Sequence, residues 1–290
     1  MLEGRYLLGV EPAERTASFL GRSATFPVDL ESIRVRCAAA QAARVARGKL
    51  AQATLPCPES YADHLSQVRS RPLFQSLFQG YAFDLCLADL ASLVPVQPHA
   101  DYSFALEAVA EAPREQAVLD CCLPAGSQTL DVWGGVTDAQ GSGSFTVCSR
   151  DLNLIVSEVH MDADPVLKVT FTLSKTAVFL VVAEMQGRLF LKDGTHRALG
   201  LLARGVEAAP CVLLHQRSCE PIIPEFLPRE SLFGPHPPRL QDFLDERLYL
   251  AHPWRRSMKV IRIRSDDFVL PTDDTDMPPS EDQALASRGC

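Results

Sequence analysis

Leu189–Pro210, LFLKDGTHRALGLLARGVEAAP, constrains this chain more than any other stretch, because a strand-like run there turns abruptly into a helix through Asp193-Gly194-Thr195-His196-Arg197. Leu189, Phe190 and Leu191 form a short apolar run. Asp193 and Thr195 are residue types that cap helices, and Ala198, Leu201 and Leu202 recur at helical spacing. Gly205 predicts the helix stop, with Pro210 beyond it. The expectation is a strand over Leu189–Lys192 and a helix over His196–Arg204, in the same domain as Ala177–Ala183. Such a helix opens with free N–H groups and the positive end of its dipole, yet His196 and Arg197 place two possible cations at that end. An anion bound there relieves the conflict. Gly194 lets backbone approach it, Arg197 offers a bidentate fork, and phosphate fits both. The competing reading turns Arg197 to solvent and packs His196 on the strand.

DGTHRALGLLARGVEAAPCVLL resembles the second sequence box of the ParB/sulfiredoxin superfamily, in which a Gly-x-His-Arg or related turn opens a helix and holds nucleotide phosphates. Leu87–His99, LADLASLVPVQPH, is similar to the first box of ParB-type domains, where a strand leads into a Pro-x-Gln-Pro turn; His99 stands where that family usually has arginine. The match covers roughly Tyr81 to Gln216, with far more sequence between the boxes than a compact ParB module carries. The resemblance implies an α/β or α+β fold with a ParB/sulfiredoxin-like mixed-sheet core over 81–217, interrupted by an insertion at about 111–165.

The same resemblance implies a nucleotide- or phosphorylated-small-molecule-binding protein, with NTP hydrolysis or phosphoryl transfer at the DGTHR turn. Gly194, Thr195, His196 and Arg197 would hold the phosphates, and Asp193 and His196 would be catalytic, Asp193 either capping the helix or helping to activate a nucleophile. Mg²⁺ with a nucleoside triphosphate is the implied cofactor. Where sulfiredoxins carry their reactive cysteine this chain has Thr195, which keeps a hydroxyl and discards the thiolate. Free serine kinases of the superfamily have a similar Asp-Gly-His-Thr-Arg turn, which keeps a small-molecule kinase beside a nucleotidase. Two other readings compete: a non-catalytic regulatory or partner-binding protein with a vestigial site, and a nucleic-acid-binding ParB-like protein.

Composition weighs against the last of these. A net charge of −8 and a pI near 5.4 argue against bulk nucleic-acid binding, leaving at most a small local basic patch, with Arg255, Arg256, Lys259, Arg262 and Arg264 as the one basic cluster. The longest apolar stretch, Thr176–Ala183, is too short to span a bilayer, and the chain opens without a signal-type apolar core, so no membrane partner is expected and the cytoplasm is the default compartment. Nine scattered cysteines without C-x-x-C spacing indicate neither a zinc site nor a disulfide framework, and Cys121-Cys122 reads as buried free thiols. His160-Met161-Asp162-Ala163-Asp164 would put three polar groups on one face of an extended chain, but Pro165 favours a loop and no metal site is expected. P-loop, Rossmann and nucleophile-elbow motifs are absent.

Along the chain, 1–80 is expected to be largely helical, although Tyr6–Val10 has strand character. Glu31–Thr54 predicts a helix with Ile33, Cys37, Ala40, Val45 and Leu50 inward and Arg34, Arg36, Arg44 and Arg47 solvated. Glu59–Arg69 and Leu73–Phe78 predict two short helices; Phe83–Val96 reads as strand, short helix or turn, and strand-end; Tyr102–Ala110 reads as a helix. Ala125–Gly143 reads as a hairpin tip or lid, Asn153–Val159 and Val166–Leu173 as strands, and Ala177–Met185 with Leu189–Lys192 as a hairpin. A C-terminal wrap over 218–270 includes a predicted helix at Pro238–Leu250 and an edge strand at Met258–Arg264. The acidic tail 271–290 is expected to be disordered.

Overall fold

The computed structural model describes residues 2–22, 29–126, 130–139, 142–150, 154–162, 168–175, 179–216, 227–255 and 258–264. The expected tail and part of the expected wrap lie outside these residues. The chain divides into two compact units, Met1–Asp131 with Arg150–Lys259, and Val132–Ser149 with Val260–Cys290.

Strand β1 (Leu2–Leu7) is followed by helices α1 (Ala13–Gly21) and α2 (Leu30–Ala46). Asp29 starts α2 by accepting from the N–H groups of Glu31 and Ser32, and Ile33, Cys37 and Ala40 form its buried face. The helix ends where Gly48 takes a left-handed φ of 77°, well short of the expected Thr54. Next come β2 (Thr54–Pro56), α3 (Ala62–Ser70), α4 (Pro72–Phe78), β3 (Phe83–Asp89), β4 (Val94–Pro95), β5 (His99–Asp101), α5 (Tyr102–Ala108) and α6 (Glu115–Cys122). The strand, 3-10 turn and strand-end over 83–95 follow the expected pattern. Helix α6 had no sequence expectation.

Hairpins β6 (Val132–Ala139)–β7 (Ser142–Ser149) and β8 (Leu154–Asp162)–β9 (Lys168–Lys175) precede the central hairpin of β10 (Val181–Met185) and β11 (Arg188–Asp193). Gln186 and Gly187 join that hairpin with φ of 52° and 71°, the signs a type I′ turn needs. Helix α7 (Thr195–Ala203), β12 (Ala208–His215), α8 (Arg229–Phe233), β13 (Tyr249–Trp254) and β14 (Lys259–Arg264) complete the order. The expected helix at Pro238–Leu250 is instead a 3-10 turn over Leu240–Leu244 that gives way to β13. Tertiary pairing decides it: β13 is taken up by β1 along its whole length, from Leu2 opposite Trp254 to Leu7 opposite Tyr249. The N-terminal region is therefore not only helical.

Within the first unit, a six-stranded mixed sheet has the order β2-β3-β12-β10-β11-β4, and a three-stranded sheet has the order β13-β1-β5. Strands β10 and β12 run parallel, as do β11 and β4, while β3 runs antiparallel to β12. Leu180, Val182, Phe190, Leu191, Leu199 and Val212 are among the fully buried core residues. Helix α7 crosses α5 closely because residue 200 is glycine: a Cβ there would sit 2.0 Å from the Ala105 carbonyl oxygen. Arg34 is solvated as expected, but Arg36, Arg44 and Arg47 are anchored to the protein. Arg44 Nε donates to Asp242 Oδ2 at 2.7 Å and Arg44 Nη1 donates to the Leu8 carbonyl. Arg47 forms a close ion pair with Asp242 Oδ1 that is not an aligned hydrogen bond. Arg36 bonds the Tyr249 carbonyl and Arg34 pairs with Glu14.

The β8–β9 ribbon keeps Val159 opposite Phe171 and Met161 opposite Val169. His160 and Asp162 lie in β8 itself, not in a loop; Ala163 and Asp164 lie outside the described residues. In the second unit, β14 borders β7 with alternating half-buried and exposed residues, as expected of a charged edge strand.

Candidate functional site

Strand β11 delivers the chain to the DGTHR turn through buried Leu189, Phe190 and Leu191, and the expected strand and helix on either side are both present. Gly194 makes the bend with φ 85°, and the packing reinforces that requirement. A Cβ there would meet Leu180 Cδ1 at 2.7 Å and the Arg197 guanidinium at 3.2 Å. Helix α7 then starts without a side-chain cap, whereas α2 and α5 are capped by Asp29 and Asp101. Its inner face holds Thr195, Ala198, Leu199 and Leu201.

Asp193 closes the turn by accepting the Gly194 N–H at 2.7 Å. Burial raises its carboxyl above the usual range, and the neighbouring Arg197 guanidinium works against that rise. Arg197 itself faces inward. One Nη donates to the Cys121 carbonyl and the other to the Phe179 carbonyl, both at 2.9 Å, so the fork ties the end of α6 and the approach to β10 onto the start of α7. His196 Nε2 accepts the Asp101 N–H at 3.0 Å, and its ring meets Phe104 edge-on at 5.4 Å. Arg197 sits at a helix start because it has carbonyl and carboxylate neighbours within the protein, and His196 is no cation there, since its Nε2 lone pair accepts a main-chain N–H. Sequence could not reveal the partners, since Asp101, Cys121 and Phe179 contribute main-chain atoms, which carry no residue-type signal.

The stretches 87–99 and 189–210, far apart in sequence, meet in space. Val94 and Pro95 of β4 pair in parallel with Phe190 and Leu191 of β11, and β5 supplies the Asp101 N–H to His196. His99 is half-buried and packs against Tyr6, Phe19, His252 and Trp254. Its pKa is pushed down to about 3, chiefly by burial, then by the neighbouring His252 and His196. It is therefore a neutral ring and not a cationic contact.

Glu184 lies at the opposite end of β10 from the turn and joins a different cluster. His215 on β12 bonds Glu184 Oε2 through Nδ1 at 2.9 Å and Asp84 Oδ2 through Nε2 at 2.8 Å. Those two carboxylates raise the His215 pKa. A raised histidine contributes stability that is complete below its unfolded pKa near 6.5 and is lost as pH climbs through the higher folded value. The bridge is exposed and screened, so the melting difference between native protein and His215→Gln should be only of the order of 1–3 °C. It should be present at pH 6 and shrink toward pH 8.5; a gap that widened with pH would contradict the bridge.

Among the described residues no group of three or more His, Cys, Asp or Glu side chains is arranged to hold a metal ion, and no helix is long and apolar enough to cross a membrane. Comparison with protein-family models, curated proteins and solved structures returns no match to this chain.

Proposed function

We propose that the DGTHR turn binds the phosphate of a nucleotide or another phosphorylated small molecule. The observation that carries the reading is the start of α7. A left-handed Gly194 brings backbone close, no side chain caps the first turn, and the dipole favours an anion. Recognition then rests on the N–H groups of that turn and on Thr195, while His196 and Arg197 position the turn through Asp101, Cys121 and Phe179. Asp193, a half-buried carboxyl with raised pKa, is the group suited to accept a proton in NTP hydrolysis or phosphoryl transfer. Mg²⁺ would arrive with a triphosphate. Titration calorimetry with inorganic phosphate and a panel of nucleoside mono-, di- and triphosphates, with and without Mg²⁺, should give saturable heat for at least one of them. Thr195→Val should weaken that binding about ten- to a hundredfold through the lost hydroxyl contact. A flat titration across the whole panel sinks the reading.

The engagement of His196 and Arg197 with the protein's own main chain favours a second reading, a non-catalytic regulatory protein with a vestigial site. Saturable binding without release or transfer of a phosphoryl group would select it. A nucleic-acid role draws no support from the net charge of −8.

A further inference from the structure

Cys86 of β3 and Cys211 of β12 are direct register partners, and their sulfurs are 3.8 Å apart in the buried centre of the six-stranded sheet. The flanking main-chain bonds, Leu90 N–H to the Glu207 carbonyl and His215 N–H to the Ala82 carbonyl, identify the type of pair. Counting inward by twos from either end makes Cys86 and Cys211 a hydrogen-bonded pair. Such residues have Cα atoms about 5.5 Å apart, inside the span a disulfide bridges. Their Cβ atoms are farther apart than the roughly 3.8 Å a relaxed disulfide prefers, so a bond there would be strained and readily reduced.

We propose that Cys86 and Cys211 form a reversible disulfide on exposure to hydrogen peroxide. The Cys86 thiolate attacks one peroxide oxygen, giving a sulfenic acid and releasing hydroxide, which takes up a proton as water. Cys211 then attacks the Cys86 sulfur, the S–O bond breaks, and a second water leaves. Two thiols are oxidised by two electrons in all, and one peroxide is reduced to two waters. The partnership sets the order of attack. Either thiol can donate across the 3.8 Å contact; with Cys211 as the donor, the bond holds the Cys86 thiol below its ordinary value, while Cys211 is raised by that same bond and by burial. Cys57, next to Pro56, the register partner of Cys86, is more exposed but is pushed up to about 11 by burial and is a poor first nucleophile.

This assignment differs from what exposure alone dictates, and that difference makes it testable. The intact protein would be treated with increasing hydrogen peroxide, quenched with an alkylating reagent, and mapped by mass spectrometry of non-reduced peptides. The expected product is a peptide pair joined through Cys86 and Cys211, with Cys57 still alkylated and the link removed by dithiothreitol. In Cys211→Ser the link should vanish and Cys86 should proceed to sulfinic acid. Oxidation of Cys57 ahead of the pair, a Cys121–Cys122 link in its place, or no cross-link before the protein unfolds would each overturn the proposal. The map of the native chain alone decides between these outcomes if the variant does not fold.

Discussion

Replacing Arg197 with alanine is expected to lower the melting temperature of the unliganded protein by roughly 5–10 °C, because the charge-assisted hydrogen bonds of a half-buried guanidinium to two main-chain carbonyls, worth about 2–4 kcal/mol together, are lost. The deletion leaves the Cys121 and Phe179 carbonyls without the fork that binds both, and leaves the half-buried Asp193 carboxyl without its adjacent cation. Relief of the unfavourable helix-dipole contact returns only about 0.3–1 kcal/mol. Lysine should not rescue the loss, since a single ammonium cannot reproduce a planar fork reaching two carbonyls. Adding Asp193→Asn to Arg197→Ala should recover part of the stability by removing the stranded carboxyl. Thermal melts of the three variants decide the matter. Melting of Arg197→Ala at the native temperature would return the guanidinium to direct duty on a ligand.

A comparable loss is expected for Asp242→Ala. Its carboxylate is completely buried between Arg44 and Arg47, and Arg44 is itself 4 % exposed at its side chain, so the substitution leaves a cation buried without its counter-ion. The cost should be about 3–5 kcal/mol, a fall of roughly 10 °C. Replacing the buried pair with apolar residues of similar volume, Arg44→Met with Asp242→Leu, leaves only the more exposed Arg47 without its carboxylate and should cost less than the two single deletions added together. A double-mutant cycle measured by denaturant unfolding gives the coupling directly. Independent, additive losses would show that the pair does not act as a unit.

The parts of this fold legible in sequence are those set by local rules. The strand into Gly194, the helix after it, the Gln186-Gly187 hairpin and the strand, turn and strand-end over 83–95 all follow from periodicity, glycine placement and turn chemistry. Where partners far away in sequence decide, the reading failed. Leu240, Phe243, Leu244 and Leu248 carry an apolar face that suits a helix, yet the chain makes only a 3-10 turn there before β1 captures Tyr249–Trp254 as a strand. Arg44 and Arg47 look solvated until Asp242 is placed beside them. The candidate site divides in the same way. Its turn and helix start are legible, whereas the conflict of two cations that the sequence suggests shrinks to Arg197 alone once His196 accepts the Asp101 N–H. The internal resolution of that conflict is not legible, because the acceptors are main-chain carbonyls brought in by α6 and by the approach to β10.

The position of β1 carries a consequence for how the chain is made. It is the middle strand of its sheet, with β5 on one side and β13 on the other. During synthesis the first side can be satisfied once His99–Asp101 has left the ribosome, but the second waits for Tyr249–Trp254. Until then a nascent chain presents Leu2–Leu7 with an open row of backbone donors and acceptors, the kind of edge that recruits other strands. Closing that edge joins residues from opposite ends of the first unit, a long-range contact of the sort that slows folding. A chain permuted so that β13 precedes β1 through a short hairpin would make the same contact local, and should fold faster while reaching the same final structure.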